Sequence, residues 1–260
     1  MADGGAALLE LRGVHKSFGA VRALDGVDFA VAEGQVMALV GDNGAGKSTL
    51  IKSVAGIHPI DSGEIVFDGE AVQIAGPKDS AALGIEVVYQ DLALCDNLDV
   101  VQNMYLGRER LGTLRRLDEL PMEQTARETL SGLSVTTLRS VRQTVAGLSG
   151  GQRQSVAVAK AVMWNSRVVI LDEPTAALGV AQTRQVLDLV KRLGDQGLAV
   201  VIVSHNLSDV FEVADAITVL RLGRDVARFD VSQTNQQQVV EAITSGTPAD
   251  QREEAEVPAS

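Results

Sequence analysis

Residues Gly41 to Thr49 read GDNGAGKST and fit the spacing G-x-x-x-x-G-K-[ST], with Gly41, Gly46, Lys47 and Ser48 at the fixed positions. Glycines let a chain turn tightly enough for its backbone N–H groups to face an anion. A helix opening behind the turn adds roughly half a positive charge at its N-terminus. Asp42, Asn43, Gly44, Ala45 and Thr49 complete the turn. Lys47 reaches toward terminal phosphates, and the Ser48 hydroxyl is a hard oxygen donor suited to Mg²⁺. The bland alternative is a glycine-rich turn with a solvated lysine. It is disfavoured because the loop follows a continuously apolar run, QVMALV, and precedes a helical pattern, which is the context this motif requires. The reading is a nucleoside triphosphate cradle, an element that many unrelated activities share.

A second cluster lies far along the chain in VVILDEP, where an apolar strand runs straight into Asp172 and Glu173. Carboxylates at the end of a buried strand carry a desolvation penalty unless they meet a cation or a reacting group. A phosphate loop needs an acid at the end of a neighbouring parallel strand, and Asp172 fits as a holder of Mg²⁺ through water. Glu173 fits as the group that orients or deprotonates an attacking water. Without Lys47 upstream, two exposed acids opening a turn before Pro174 would be the better reading.

These residues need a scaffold. LLELRGV, GVDFAVAEG, QVMALV, GEIVFDGE and GIEVVYQ read as strands, and the run after Gly46 as a helix ending at Gly56. In GVDFAVAEG, Val27, Phe29 and Val31 alternate with Asp28, Ala30 and Ala32, the period of a half-buried strand. QVMALV has the continuous apolarity of a strand covered on both faces. From Asp91 to about Trp164 the pattern is helical, with helices around Leu98–Leu106, Met122–Gly132 and Gln152–Trp164. VVIL, AQTRQVLDLVKRLG, LAVVIV, LSDVFEVA and AITVL then alternate strand and helix, which predicts an α/β fold with a parallel, helix-covered sheet. GRDVARF reads as an edge strand and NQQQVVEAIT as a last helix. Residues 1–7 read as a flexible lead-in and 247–260, polar and acidic, as a disordered tail.

The chain has 260 residues, 45% hydrophobic, enough for one substantial core with a smaller lobe attached. Its net charge of −11 opposes sequence-independent nucleic-acid binding, which runs on Lys and Arg contacts to phosphate. At 3% aromatic content a base-stacking platform is disfavoured too. A single cysteine, Cys95, excludes an internal disulfide framework. No apolar run approaches the roughly 20 residues of a membrane span, and no secretory signal opens the chain, so a soluble protein is expected.

LSGGQRQ, Leu148 to Gln154, narrows the reading. With Lys47, Gln90, Asp172, Glu173 and His205 in that order, the chain closely resembles an ABC-transporter ATPase subunit from about Leu8 to Gly246. Ser149 suits a helix N-cap, and Gly150 and Gly151 leave amides open to an anion. The resemblance implies a P-loop NTPase fold with a mainly parallel core (8–90 and 165–246), an N-terminal antiparallel β subdomain and an inserted helical subdomain (about 91–164). It implies ATP and Mg²⁺ as cofactors, and two chains facing head to tail. Ser149, Gly150, Gly151 and Gln152 of one chain would close on the γ-phosphate held by Lys47 of the other. Phe18 would be the aromatic that stacks on adenine, although a core phenylalanine competes with that reading. Gln90 would touch Mg²⁺ or the lytic water and link the helical lobe to the site; its alternative is a polar strand end. His205 would contact the γ-phosphate.

VVYQDLALCDNLDVVQNMYLG and EPTAALGV are similar to the bacterial sugar importers of the ribose, xylose and fructose class, here with a single ATPase unit. That resemblance implies transmembrane permease subunits, a second ATPase chain and an extracytoplasmic sugar-binding protein as partners. It places the chain at the cytoplasmic face of the membrane, with the segment after Gln90 receiving the permease. A soluble ABC ATPase acting on nucleic acid or ribosomes, and a motor for a non-sugar transporter, remain as alternatives. Gly179 stands where most relatives of the wider family carry aspartate, a substitution that similar sugar importers share.

Overall fold

The computed structural model describes residues 6–112, 116–135 and 137–246. The expected tail, 247–260, and the first five residues of the expected lead-in lie outside the described residues.

Two sheets organise the chain. A four-stranded antiparallel sheet, in order β2-β1-β4-β5, is formed by β1 (Ala7–Phe18), β2 (Val21–Ala32), β4 (Ser62–Phe67) and β5 (Glu70–Val72). The lead-in is shorter than expected, because Ala7 is already in β1 and pairs with Ala32. GEIVFDGE is not one strand but the end of β4, a turn and the start of β5. Asp68 and Gly69 both take positive φ, 54° and 80°, as a two-residue hairpin turn requires.

The six-stranded sheet has the order β10-β9-β3-β8-β7-β6. Its members are β3 (Val36–Val40), β6 (Ile85–Val88), β7 (Val168–Asp172), β8 (Ala199–Val203), β9 (Ala216–Arg221) and β10 (Arg224–Asp230). All neighbours are parallel except β9 and β10, so GRDVARF is the edge strand, joined by a tight turn. Successive side chains of a strand face opposite ways. Accordingly Val36, Ala38, Val40, Val169 and Leu171 enter one hydrophobic cluster, and Met37, Leu39, Val168 and Ile170 the other.

The second cluster is covered by α1 (Lys47–Val54) and the antiparallel sheet. The first is covered by α6 (Val180–Asp195), α7 (Leu207–Val213) and α8 (Gln236–Ser245). It continues through α3 (Val100–Tyr105), α4 (Glu119–Gly132) and α5 (Gly150–Val162), where Tyr105, Met104 and Val156 are buried. A short helix, α2 (Pro77–Ala82), stands where no helix was expected. Pro77 opens it at the position where a missing N–H matters least, and the Asp79 carboxylate accepts from the amides of Ala75 and Gly76. Among the described residues, no helix is long and apolar enough to cross a membrane.

Candidate nucleotide-binding and catalytic site

The site collects where the parallel strands end. In an open α/β sheet, ligands bind outside the carboxyl ends of the strands. β3 delivers the Gly41–Thr49 loop, β8 delivers Ser204 and His205, β7 delivers Asp172 and Glu173, and β6 delivers Gln90. The register fixes their levels: Leu39 pairs with Val203, Asp172 pairs with the same Val203, and Val88 pairs with Leu171.

The loop is braced from two sides by backbone. A Cβ built on Gly41 would stand 2.1 Å from the Leu220 carbonyl oxygen, and one on Gly46 2.7 Å from that of Ala23. Only glycine fits those positions, at φ 148° and 108°. The Gly223 amide donates to the Ala45 carbonyl at 2.9 Å, so the β9–β10 turn buttresses the loop. Gly46 is the N-cap of α1 and no side chain caps that helix. Its first-turn amides are therefore left open to an anion. Nothing lies within 4 Å of a Cβ on Gly44, which leaves the outer turn open to a ligand. Lys47 Nζ donates to the carbonyls of Gly41 at 2.5 Å and Asp42 at 3.0 Å, which folds it over the cradle. Burial lowers its pKa, and the charges of Glu173, Asp42 and Asp172 oppose that shift.

Asp172 is half-buried, and among the described residues its carboxylate makes no hydrogen bond or ion pair. Its pKa is raised by burial first and then by the neighbouring Glu173 carboxylate, with Lys47 and Lys52 pulling the other way. A half-buried acid without a direct partner suits a hard cation that takes oxygen ligands. The exposed Ser48 hydroxyl and Gln90, just past β6, can add oxygens from two other elements.

Glu173 continues the β7 ladder by donating its amide to the Val203 carbonyl at 2.9 Å, then bends the chain at φ 51°. Backbone in that region is uncommon for a residue with a side chain and is frequent at functional sites. The turn aims the carboxylate at His205, whose Nδ1 lies 2.8 Å from Oε2; the glutamate side chain is 16% exposed and the histidine 75%. Behind the turn, Thr175 Oγ1 donates to the buried Asp209 at 2.7 Å, which anchors the loop to α7.

Phe18 ends β1 and is 44% exposed, so it is not a core residue. Its ring meets His58 edge-on at 5.1 Å, and Lys16 Nζ lies 5.7 Å from the ring centroid. Lys16 is itself held by Asp61, which also accepts from the Ser17 amide. An open aromatic face backed by fixed neighbours can stack a planar base.

Ser149, Gly150, Gly151 and Gln152 form a separate feature. Ser149 Oγ accepts from the Gln152 amide at 3.3 Å and Gln152 Oε1 accepts from the Ser149 amide at 2.9 Å, a reciprocal cap on α5. Gln152 Nε2 donates to the Thr137 carbonyl at 2.7 Å, Gly150 and Gly151 face Leu178 and Gln182, and among the described residues none of the four hydrogen-bonds to the phosphate loop. The segment after Gln90 is tied to the approach to α5, with Val145 donating to Leu98 and Ala146 to Asp96, each at 3.0 Å. Arg153 of α5 pairs with Asp96 at 2.9 Å.

Sequence reasoning missed Tyr89, His58, the Thr175–Asp209 bond and Gln182. Tyr89 precedes Gln90 and has its pKa raised by burial and by Asp172. Gln182 had a local signal, since glutamine three residues into a helix can cap its start.

The chain is similar to known proteins. The ABC transporter family matches over residues 24–176. The chain is 45% identical over 238 residues to the xylose/arabinose import ATP-binding protein XylG of Sulfolobus acidocaldarius, covering 92% of this chain and 94% of that one. It is 48% identical to the fructose import ATP-binding protein FrcA of Rhizobium meliloti, covering 84% and 86%. The ribose import ATP-binding protein RbsA 1 of Rubrobacter xylanophilus is 45% identical, but the match spans only 44% of its length. A crystal structure of a nucleotide-free ATP-binding cassette from an ABC transporter superposes with a TM-score of 0.79 at 25% identity, covering 92% of this chain and 96% of that one. The structure and these similarities agree: the chain belongs to the ABC transporter family and is one of its ATPase cassettes.

Proposed function

We propose that this chain is the ATP-hydrolysing subunit of a sugar importer of the xylose, fructose or ribose type. The carrying observation is the meeting of Lys47, Asp172, Glu173 and His205 at adjacent strand ends, in a chain similar over most of its length to sugar-import ATP-binding proteins. That similarity favours import over an ATPase acting on nucleic acid or ribosomes.

In this reading Phe18 stacks on adenine. Asp42, Asn43, Gly44, Ala45, Gly46 and Thr49 line the phosphates, and Lys47 reaches over them. Ser48, Asp172 and Gln90 are the residues that would hold Mg²⁺, which when bound neutralises charge on phosphate oxygens. Glu173 orients a water and takes its proton, and His205 fixes the Glu173 carboxylate and contacts the γ-phosphate. Moving that proton at an aligned water is worth about 100- to 10,000-fold in rate.

Among the described residues, Ser149, Gly150, Gly151 and Gln152 make no hydrogen bond to the phosphate loop of their own chain. We assign them to the nucleotide of a second copy, so that two incomplete sites complete each other. The helical segment, about 91–164, is then the lobe that receives a permease at the cytoplasmic face of the membrane. A sugar-binding protein outside the cell would supply the substrate.

The test is transport. Cells lacking this chain are assayed for uptake of a panel of radiolabelled pentoses and hexoses, with the unaltered chain or Lys47→Ala supplied in trans. Loss of uptake of one sugar, restored only by the unaltered chain, is expected. Unchanged uptake of every sugar would overturn the import reading.

A further inference from the structure

Gly179 opens α6 with φ −75° and ψ 160°, and it has no side chain with which to cap that helix. Its own amide is held from within the helix, donating to Oε1 of Gln182 at 3.3 Å. The stem of the same glutamine lies against the first turn of α5. A Cβ on Gly151 would stand 3.1 Å from Cβ and 3.3 Å from Cγ of Gln182. A Cβ on Gly150 would stand 2.9 Å from Cδ2 of Leu178 and 3.7 Å from Oε1 of Gln182. One half-buried side chain thus bonds the loop that follows Glu173 and lies over the two glycines that open α5. Gln182 and Leu178 fill the space over Gly150 and Gly151 where a side chain would otherwise stand, and close packing of this kind passes a shift of one element to the other.

We propose that Gln182 is a positioning residue for hydrolysis, locking the loop behind Glu173 to the signature turn of Gly150 and Gly151. The turn that a chain presents to its partner's nucleotide then moves together with the loop that carries its own Glu173. In this chain the link is made by a residue three positions into the helix, because position 179 has only backbone to offer. The proposal rests on the reading that Ser149, Gly150 and Gly151 close on a nucleotide held by a second copy. In this proposal Gln182 acts through the glycines and is assigned no contact with a nucleotide. Its loss should therefore slow turnover and leave the chain's own ATP cradle intact.

The experiment compares full-length Gln182→Ala, Gln182→Met and Gln182→Glu with the unaltered chain in steady-state ATP hydrolysis, and checks folding by thermal unfolding. Gln182→Met keeps the stem and loses the acceptor, and serves if Gln182→Ala does not fold. Gln182→Glu keeps both, since glutamate caps from this position as glutamine does. Expected is a fall in kcat of about tenfold or more for Ala and Met at unchanged KM for ATP, with recovery to at least about half in Glu. Wild-type kcat in both Ala and Met, a raised KM at unchanged kcat, or a Glu variant as slow as Ala would each overturn the proposal. Lys47→Ala separates the two layers. If Lys47→Ala is inactive while Gln182→Ala is fully active, the Gln182 proposal alone falls; if Lys47→Ala hydrolyses ATP normally, the site reading falls and the proposal with it.

Discussion

Nδ1 of His205 lies 2.8 Å from Oε2 of Glu173, across the junction of two adjacent parallel strands. The histidine is mostly exposed and the glutamate mostly covered, so the imidazole closes over the carboxylate from the solvent side. That geometry holds one carboxylate oxygen and leaves the other for a water. Glu173→Gln keeps the shape and the neighbour but cannot take a proton. It should lower the rate of ATP hydrolysis by about 100- to 10,000-fold while ATP still binds, leaving a trapped ATP-bound dimer. Single-turnover hydrolysis with labelled ATP, beside gel filtration in ATP, checks both halves; full activity would remove Glu173 from its assigned role.

Asp172 is half-buried beside Glu173, and both burial and that neighbour disfavour its ionised form. Asp172→Asn removes the charge with little change of shape. In the absence of nucleotide it should therefore raise stability at neutral pH, while ATP hydrolysis falls to background. Urea midpoints and an ATPase assay on the same sample test this. A destabilised Asp172→Asn would mean that the carboxylate is structurally paired.

Gly41 is fixed by the carbonyl of Leu220, which a Cβ would meet at 2.1 Å. Gly41→Ala must displace the β9 backbone or the phosphate loop, and should cost about 3 kcal/mol. Urea unfolding measures it, and a loss under about 0.5 kcal/mol would show that the loop can move away from β9.

Phe18→Ala should raise KM for ATP by about 5- to 150-fold with little change in kcat, since base stacking on an aromatic is worth about 1–3 kcal/mol. Phe18→Trp should keep the affinity. An unchanged KM in Phe18→Ala would mean that the base stacks elsewhere.

The parts of the site that were legible in the sequence are those whose chemistry is local. A phosphate cradle needs consecutive amides and glycines, and a strand ending in acids declares itself by its apolar run, so Gly41–Thr49 and Asp172–Glu173 could be read directly. Phe18 could not be settled, because exposure at the end of a strand depends on what covers it. His58, Asp209 and Gln182 act through contacts with Phe18, Thr175 and the α5 glycines, which only the folded chain brings near. β5 and α2 are short enough that turn chemistry, Asp68-Gly69 and Pro77, was the signal in place of periodicity.

Gly179 is where the sequence left its sharpest question, and the structure changes its form. The backbone there has φ −75°, which any residue adopts, and nothing lies within 4 Å of an added Cβ. Glycine is therefore not required by sterics. Gly179→Asp places a carboxylate at the N-cap of α6, where it can accept from the helix amides, and should add a few tenths of a kcal/mol to stability. It also adds a negative charge beside the signature turn, where the partner's phosphates would sit. The fold, the cradle and Glu173 are untouched, so ATP hydrolysis should continue. The ratio of sugar taken up to ATP hydrolysed should change, because the loop would now signal through a side chain as well as its backbone. Paired uptake and ATPase measurements decide it: an unchanged ratio would mean that the loop works through its backbone alone.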